Sequence, residues 1–184
     1  MSFDGGVVVA VSSSPEHNFS KQTQSSIKLL KGLGVEGDAH CGEKVQHLSR
    51  VRANPDQPNL RQVHLIHSEL HKELETSGYQ IFPGQMGENI TTKGIDILNL
   101  PVGTKLRFGT DALIQVTGLR NPCPQLNKYR SGLMDACLLR DTDGKIQDRK
   151  GGIMAIVLEE GVIKPNDTIT VELPPQPHVK LQVV

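Results

Sequence analysis

Short runs of β-branched and other apolar residues, cut every few positions by glycine, proline or asparagine, constrain the fold of this chain more than any other feature of its sequence. Residues 5–11, 26–30, 62–67, 89–92, 105–108, 112–117, 153–158 and 168–173 each read as a strand. The Gly109-Thr110-Asp111 turn joins two of them, so that residues 88–117 read as a β-meander. Residues 153–158 and 168–173 read as a further pair. One clear helix is expected, from Ser68 as its N-cap to Gly78, and residues 125–140 are mostly compatible with helix. Residues 12–24 are polar, carry Pro15 and lack an apolar period, which makes them a surface loop and a candidate lid. Residues 49–60 and the charged stretch 141–152 also read as loops. Pro174-Pro175-Gln176-Pro177 breaks any element before the apolar tail 179–184, a candidate edge strand. The chain has 184 residues, and no repeat or linker divides it. We expect one mainly β domain over residues 1–184, with a few helices at its periphery.

Charge narrows the partners. Lysine and arginine total 20, as do aspartate and glutamate, so no global field draws the chain to nucleic acid or to an anionic membrane. A local basic pocket remains open. No run approaches the roughly 20 apolar residues of a membrane span, and Met1-Ser2-Phe3-Asp4 lacks the start of a secretory signal. The expectation is a cytoplasmic protein that acts on a small molecule. The three cysteines, Cys41, Cys123 and Cys137, form neither a disulfide framework nor a C-x-x-C zinc pattern.

Several residues are candidates for chemistry. Cys123 stands between Pro122 and Pro124, which fix the backbone on both sides of the thiol. The preceding Arg120 would favour the thiolate, the nucleophilic and metal-binding form. The alternative is a structural cysteine in a loop after a strand. Cys137 lies among Leu133, Met134, Ala136, Leu138 and Leu139 and reads as core, while Cys41 sits in a glycine-rich stretch. Asp38 and His40, two positions apart, share a face of an extended segment and would orient a ligand or one another; a turn aspartate and a surface histidine are the alternative. His64, His67 and His71 invite a zinc reading, but in His67-Ser68-Glu69-Leu70-His71 the glutamate is one position later than in H-E-x-x-H, which turns it about 100° away on a helix. Gly84-Gln85-Met86-Gly87-Glu88-Asn89-Ile90 has neither spacing of a standard nucleotide loop. Glu88 and Asn89 would face a pocket or stabilise a turn.

Read in order, Gly34-Val35-Glu36-Gly37-Asp38-Ala39-His40, Arg61-Gln62-Val63-His64-Leu65-Ile66, Phe82-Pro83-Gly84-Gln85-Met86-Gly87-Glu88-Asn89-Ile90-Thr91, Gly94-Ile95-Asp96, Leu100-Pro101-Val102-Gly103-Thr104-Lys105-Leu106, Val116-Thr117-Gly118-Leu119-Arg120-Asn121-Pro122-Cys123 and Gly152-Ile153-Met154-Ala155-Ile156-Val157-Leu158-Glu159 resemble the MOSC domain, named for the C-terminal part of molybdenum-cofactor sulfurases. The resemblance covers roughly residues 32–171, and seven blocks in order are far more specific than any one. It departs at Ile156, where many relatives carry an arginine. Within these 184 residues we expect neither the N-terminal β-barrel of amidoxime-reducing relatives nor the pyridoxal-phosphate desulfurase domain of cofactor sulfurases.

The resemblance implies a closed antiparallel β-barrel of the MOSC or pyruvate-kinase-barrel-like type. It implies a pocket in which Cys123 is the catalytic residue and the thiolate ligand to molybdenum. Asp38, His40, Arg61, Glu88, Asn89, Arg120 and Asn121 would bind the molybdenum cofactor, a molybdopterin, and no pyridoxal phosphate is expected. Three functions fit: an oxidoreductase that reduces N-hydroxylated small molecules or bases, a sulfur carrier that forms a persulfide on Cys123, and a non-catalytic cofactor-binding domain. The first requires an external reductase and the second a sulfur donor. Because the cofactor is anionic, the pocket beside Cys123 is expected to be electropositive, with Arg61 and Arg120 as its cations and Lys150 placed to close over it, whereas a neutral pocket would favour sulfur transfer.

Overall fold

The computed structural model describes residues 2–184, with side chains from residue 5 onward. Its elements in chain order are β1 (Ser2–Ser13), β2 (Gln22–Gln24), β3 (Ile27–Leu30), β4 (Gly34–Val35), α1 (Leu48–Ala53), β5 (Val63–His67), α2 (Ser68–Thr76), β6 (Ile90–Lys93), β7 (Lys105–Phe108), β8 (Ala112–Leu119), α3 (Pro124–Tyr129), α4 (Leu133–Ala136), β9 (Leu138–Arg140), β10 (Ile146–Arg149), β11 (Ile153–Glu159), β12 (Gly161–Ile163) and β13 (Thr168–Glu172). Seven of these strands close a barrel in the order β1, β13, β7, β8, β11, β5, β6 and back to β1. All neighbours are antiparallel except β5 and β6, which run parallel. The long first strand makes closure possible. Its first half pairs with β13 and its second with β6 and β2, and register shifts at Asp4/Gly6 and Val8/Ala10 mark where it bends between neighbours.

Strand alternation sorts side chains between two apolar clusters. On β5, Val63 and Leu65 enter the barrel interior with Val8, Phe108, Ile114 and Val157. Ile66 belongs instead to a second cluster with Leu70 and Leu74 of α2, Met86, Leu126 of α3, Leu133 of α4 and Cys137. This second cluster ties the helices to the outer wall of the barrel.

Several local expectations differ from the structure. The strand at 90–93 pairs with β1 and β5 rather than continuing into β7, so 88–117 is not one meander. The strands at 153–159 and 168–172 do not pair with each other, because each already has two barrel neighbours. The 125–140 stretch breaks at Gly132, whose φ of 83° ends helical geometry, into two short helices and β9. β9 then pairs with β10, so the charged stretch 141–152 holds a hairpin arm. The 49–60 stretch begins as α1. α2 is capped by His67 rather than Ser68, without a side-chain hydrogen bond. The tail forms no named strand; it meets the barrel at isolated bridges, Pro101 with Lys180 and Leu119 with Val183, and buries Leu181 in the barrel core. Among the described residues, no helix is long and apolar enough to cross a membrane.

Candidate functional site

A cavity of about 600 Å³ opens on the outer wall of the barrel, within the size range of small-molecule sites. Its floor follows from the alternation of β5. The period that sends Val63 and Leu65 inward sends His64 outward, and Met154, its register partner on β11, lies beside it. The loop between β1 and β2 contributes His17, Asn18, Phe19 and Lys21. The stretch between β4 and β5 contributes His40, His47, Arg50, Arg52 and Arg61. The segment after β8 brings Arg120, Asn121, Cys123 and Gln125, and Gly87 and Asn89 complete the wall before β6. Gly87 holds a φ of 85°, and a Cβ there would lie 2.7 Å from the Phe19 carbonyl oxygen. Only glycine lets these two walls meet.

The lining is cationic although the chain is neutral. Lys21, Arg50, Arg52, Arg61 and Arg120 all line the cavity, and no carboxylate does among the described residues. Arg120 is 8% exposed and its Nη1 has no hydrogen-bond partner; Arg61 Nε is likewise buried and unpartnered. Burial and the nearby Arg50 and Arg120 charges pull the Arg61 guanidinium down to about 10. Burial, reinforced by Arg61, His40 and Arg120, pushes the His47 imidazole down to about 2, and burial holds His64 far below its ordinary value. These rings are therefore neutral, and the arginines supply the field. Buried guanidinium nitrogens without partners are costly unless an acceptor meets them.

Cys123 is half-buried at the N-cap of α3, with Pro124 as the first helical residue. Arg120 Nη2 donates toward its Sγ at 4.0 Å, and Sγ donates toward Gln125 Oε1 at 3.6 Å. Asn121 also lines the cavity and accepts from Arg149 Nε at 3.0 Å.

The other residues singled out from the sequence are placed in two ways. His40 and Asn89 line the cavity, and Asp38 lies buried directly behind them. Asp38 is paired with Lys21 and accepts from Asn89 Nδ2 at 3.1 Å and His40 Nδ1 at 3.2 Å. Burial works against its charge, but the His40 hydrogen bond and the Lys21 charge outweigh it and hold the carboxyl well below the usual range. Asn89 also accepts from His64 N and donates to the Ser12 carbonyl, so its amide ties three segments together. Glu88 is fully buried outside the lining. It accepts from Gly84 N, Met86 N and Thr91 Oγ1 and thereby shapes the loop that presents Gly87. Lys150 does not line the cavity; it pairs with Glu73 of α2. His64 donates from Nε2 to the Gly151 carbonyl at 2.8 Å and His71 faces Glu88, so two of the three histidines that invite a zinc reading are turned to different partners. Among the described residues, no three His, Cys, Asp or Glu side chains are grouped to hold a metal ion.

Lys21, His47, Arg50 and Arg52 were not singled out from the sequence. The only signal for Lys21 was its place in the candidate lid, and that loop does form one wall of the cavity.

The family model of the MOSC domain matches residues 36–170. No curated protein matches the sequence. Among solved structures, YuaD from Bacillus subtilis is similar, with a TM-score of 0.69 and 22% identity over 95% of this chain and 98% of that one. YiiM from Geobacillus stearothermophilus has a TM-score of 0.60 and 20% identity over 98% and 80% of the two chains. YiiM from Escherichia coli has a TM-score of 0.59 and 20% identity over 94% and 73%. At these identities the likeness is one of fold.

Proposed function

The chain belongs to the MOSC domain family, and from that premise we propose that it is a molybdenum-cofactor-linked oxidoreductase that reduces N-hydroxylated small molecules, with Cys123 as the protein ligand to the metal. The observation that carries this reading is the pairing, in one cavity, of a free thiol with buried guanidinium nitrogens that have no partner.

The residues fit the group. A lone soft thiolate suits a metal whose remaining ligands come with its cofactor rather than from the protein. Arg61 and Arg120, aided by Arg50, would take the phosphate and the negative charge near the metal, because each offers donors that the fold leaves unused. When bound, the molybdenum centre would supply two-electron redox chemistry and an open position for the substrate. The protein's own part is to hold, orient and neutralise. Pro122 and Pro124 fix the Cys123 backbone, and Arg120 sets the charge beside the sulfur. The neutral His64 and Met154 form an uncharged floor.

Metal and pterin analysis of gently purified protein, followed by turnover of an N-hydroxylated base with an added reductase, tests this reading. We expect stoichiometric molybdenum and reduction of the base. Metal-free protein whose Cys123 gains the mass of one sulfur atom after exposure to a cysteine desulfurase would replace it with sulfur transfer. Bound cofactor without turnover would leave a carrier domain.

A further inference from the structure

Asp38 is held from every side. It accepts from Ser14 N at 3.2 Å, Asn89 Nδ2 at 3.1 Å and His40 N at 3.0 Å, and it is paired with Lys21. Those contacts fix the position of the carboxylate and keep it anionic. Its remaining contact is with the His40 ring, Nδ1 to Oδ1 at 3.2 Å. An ionised carboxylate only accepts, so Nδ1 of His40 carries the proton and Nε2 keeps the lone pair. Lys21 Nζ lies 3.5 Å from the same Nδ1 but has no lone pair to meet there, and it donates to Asp38 instead. Among the described residues nothing is bonded to Nε2, and His40 lines the cavity together with Cys123, Arg61 and Arg120.

We propose that His40 is the proton-transfer residue of this cavity, locked by Asp38 as the Nδ1–H tautomer so that Nε2 gives a proton to a substrate bound in the cavity while an anionic group rests on Arg61 and Arg120. The inference rests on the reductive reading of the site. Reduction of R–NHOH to R–NH2 and water consumes two electrons, which the external reductase supplies, and two protons. His40 gives one. The Nε2–H bond of the imidazolium breaks, an O–H bond forms on the leaving hydroxyl, the N–O bond breaks and water departs. The second proton reaches the nitrogen from solvent, and His40 is reloaded from solvent as well. Asp38 is the positioning residue, since it acts only through the ring.

The charge on the ring depends on what the cavity holds. Burial works against the imidazolium, as do Lys21 and His17, while Asp38 favours it. The ring of His47, 4.4 Å away between centroids, is itself neutral and adds no opposing charge. An anion held in the cavity that His40 lines adds negative charge to the ring's surroundings and favours the imidazolium. Proton uptake therefore accompanies anion binding, and it does so without turnover.

Sulfate, which does not titrate near neutral pH, is the probe. Calorimetric titration of the protein with sulfate in buffers of different ionisation enthalpy should show uptake of about one proton per ion bound. Nitrogen NMR of the His40 ring should report the Nδ1–H tautomer before sulfate and the imidazolium after it. In His40→Gln the uptake should vanish while sulfate affinity falls only a few-fold. Uptake that persists in His40→Gln, binding without uptake in the parent, or an Nε2–H tautomer would each overturn the proposal. Absence of any sulfate binding would instead overturn the anion-site reading beneath it. Asp38→Asn should return the free ring to a mixture of tautomers, and the parent spectrum decides the matter should that variant not fold.

Discussion

Two short helices separate Cys123 from Cys137, and the two thiols meet opposite surroundings. Cys123 sits half-buried in a cavity of arginines, with the Arg120 guanidinium 4.0 Å from its sulfur. Cys137 is fully buried among Leu70, Leu126 and Leu133, where burial pushes its thiol up to about 11 despite the opposing charges of Arg120 and Lys150. The same side chain thus packs in one place and is presented to ligand in the other. What differs is the charge and solvent that the fold gathers around each sulfur.

Replacing Cys123 by serine should separate the two thiols most sharply. Turnover, or retention of bound molybdenum, should fall by about three orders of magnitude, with Tm within about 2 °C of the parent because little packing is lost. Undiminished turnover would remove Cys123 from the chemistry and erase the contrast. Iodoacetamide provides the next largest effect. Cys123 should be alkylated at least about a hundredfold faster than Cys137, whose thiolate is scarce and out of reach; peptide mass analysis over time reads this directly. Similar rates would mean that the second cluster opens readily.

Arg120→Ala probes the charge on the Cys123 side. Sulfate affinity should drop about tenfold at low salt and less at high salt, since screening weakens what is removed. Lys150→Ala should leave it unchanged, because Lys150 pairs with Glu73 outside the cavity. The smallest effect is expected from Cys137→Ala, a loss of about 1 kcal/mol in denaturant unfolding with activity intact. A large activity loss there would show that the second cluster shapes the cavity after all.

The strands were legible because period-2 alternation and turn residues are local. Residues 105–108 and 112–117 with the turn at Gly109 appear nearly as read. Pairing was not legible in the same way: β11 and β13 look like partners in sequence, but closure gives each two other neighbours. At the site, Asp38, His40, Arg61, Asn89, Arg120, Asn121 and Cys123 stand in or directly behind one wall system, while Glu88 serves the loop next to it. Lys21 and His47 lay in stretches without any periodic or motif signal. Their importance comes from neighbours distant in sequence, such as Asp38 for Lys21 and Arg61 for His47.

By itself the sequence determined a mainly β domain, the places of most strands and the identity of the cysteine held between prolines, since each depends on residues a few positions apart. Tertiary structure alone decided that Lys21, Arg50 and Arg52 would join Arg61 and Arg120 in one cavity with that cysteine in a neutral chain. It also decided that Glu88 would be spent on a loop and that Lys150 would turn away. Charge acts through space at distances set by barrel closure, and no local pattern records which distant segments closure will bring together.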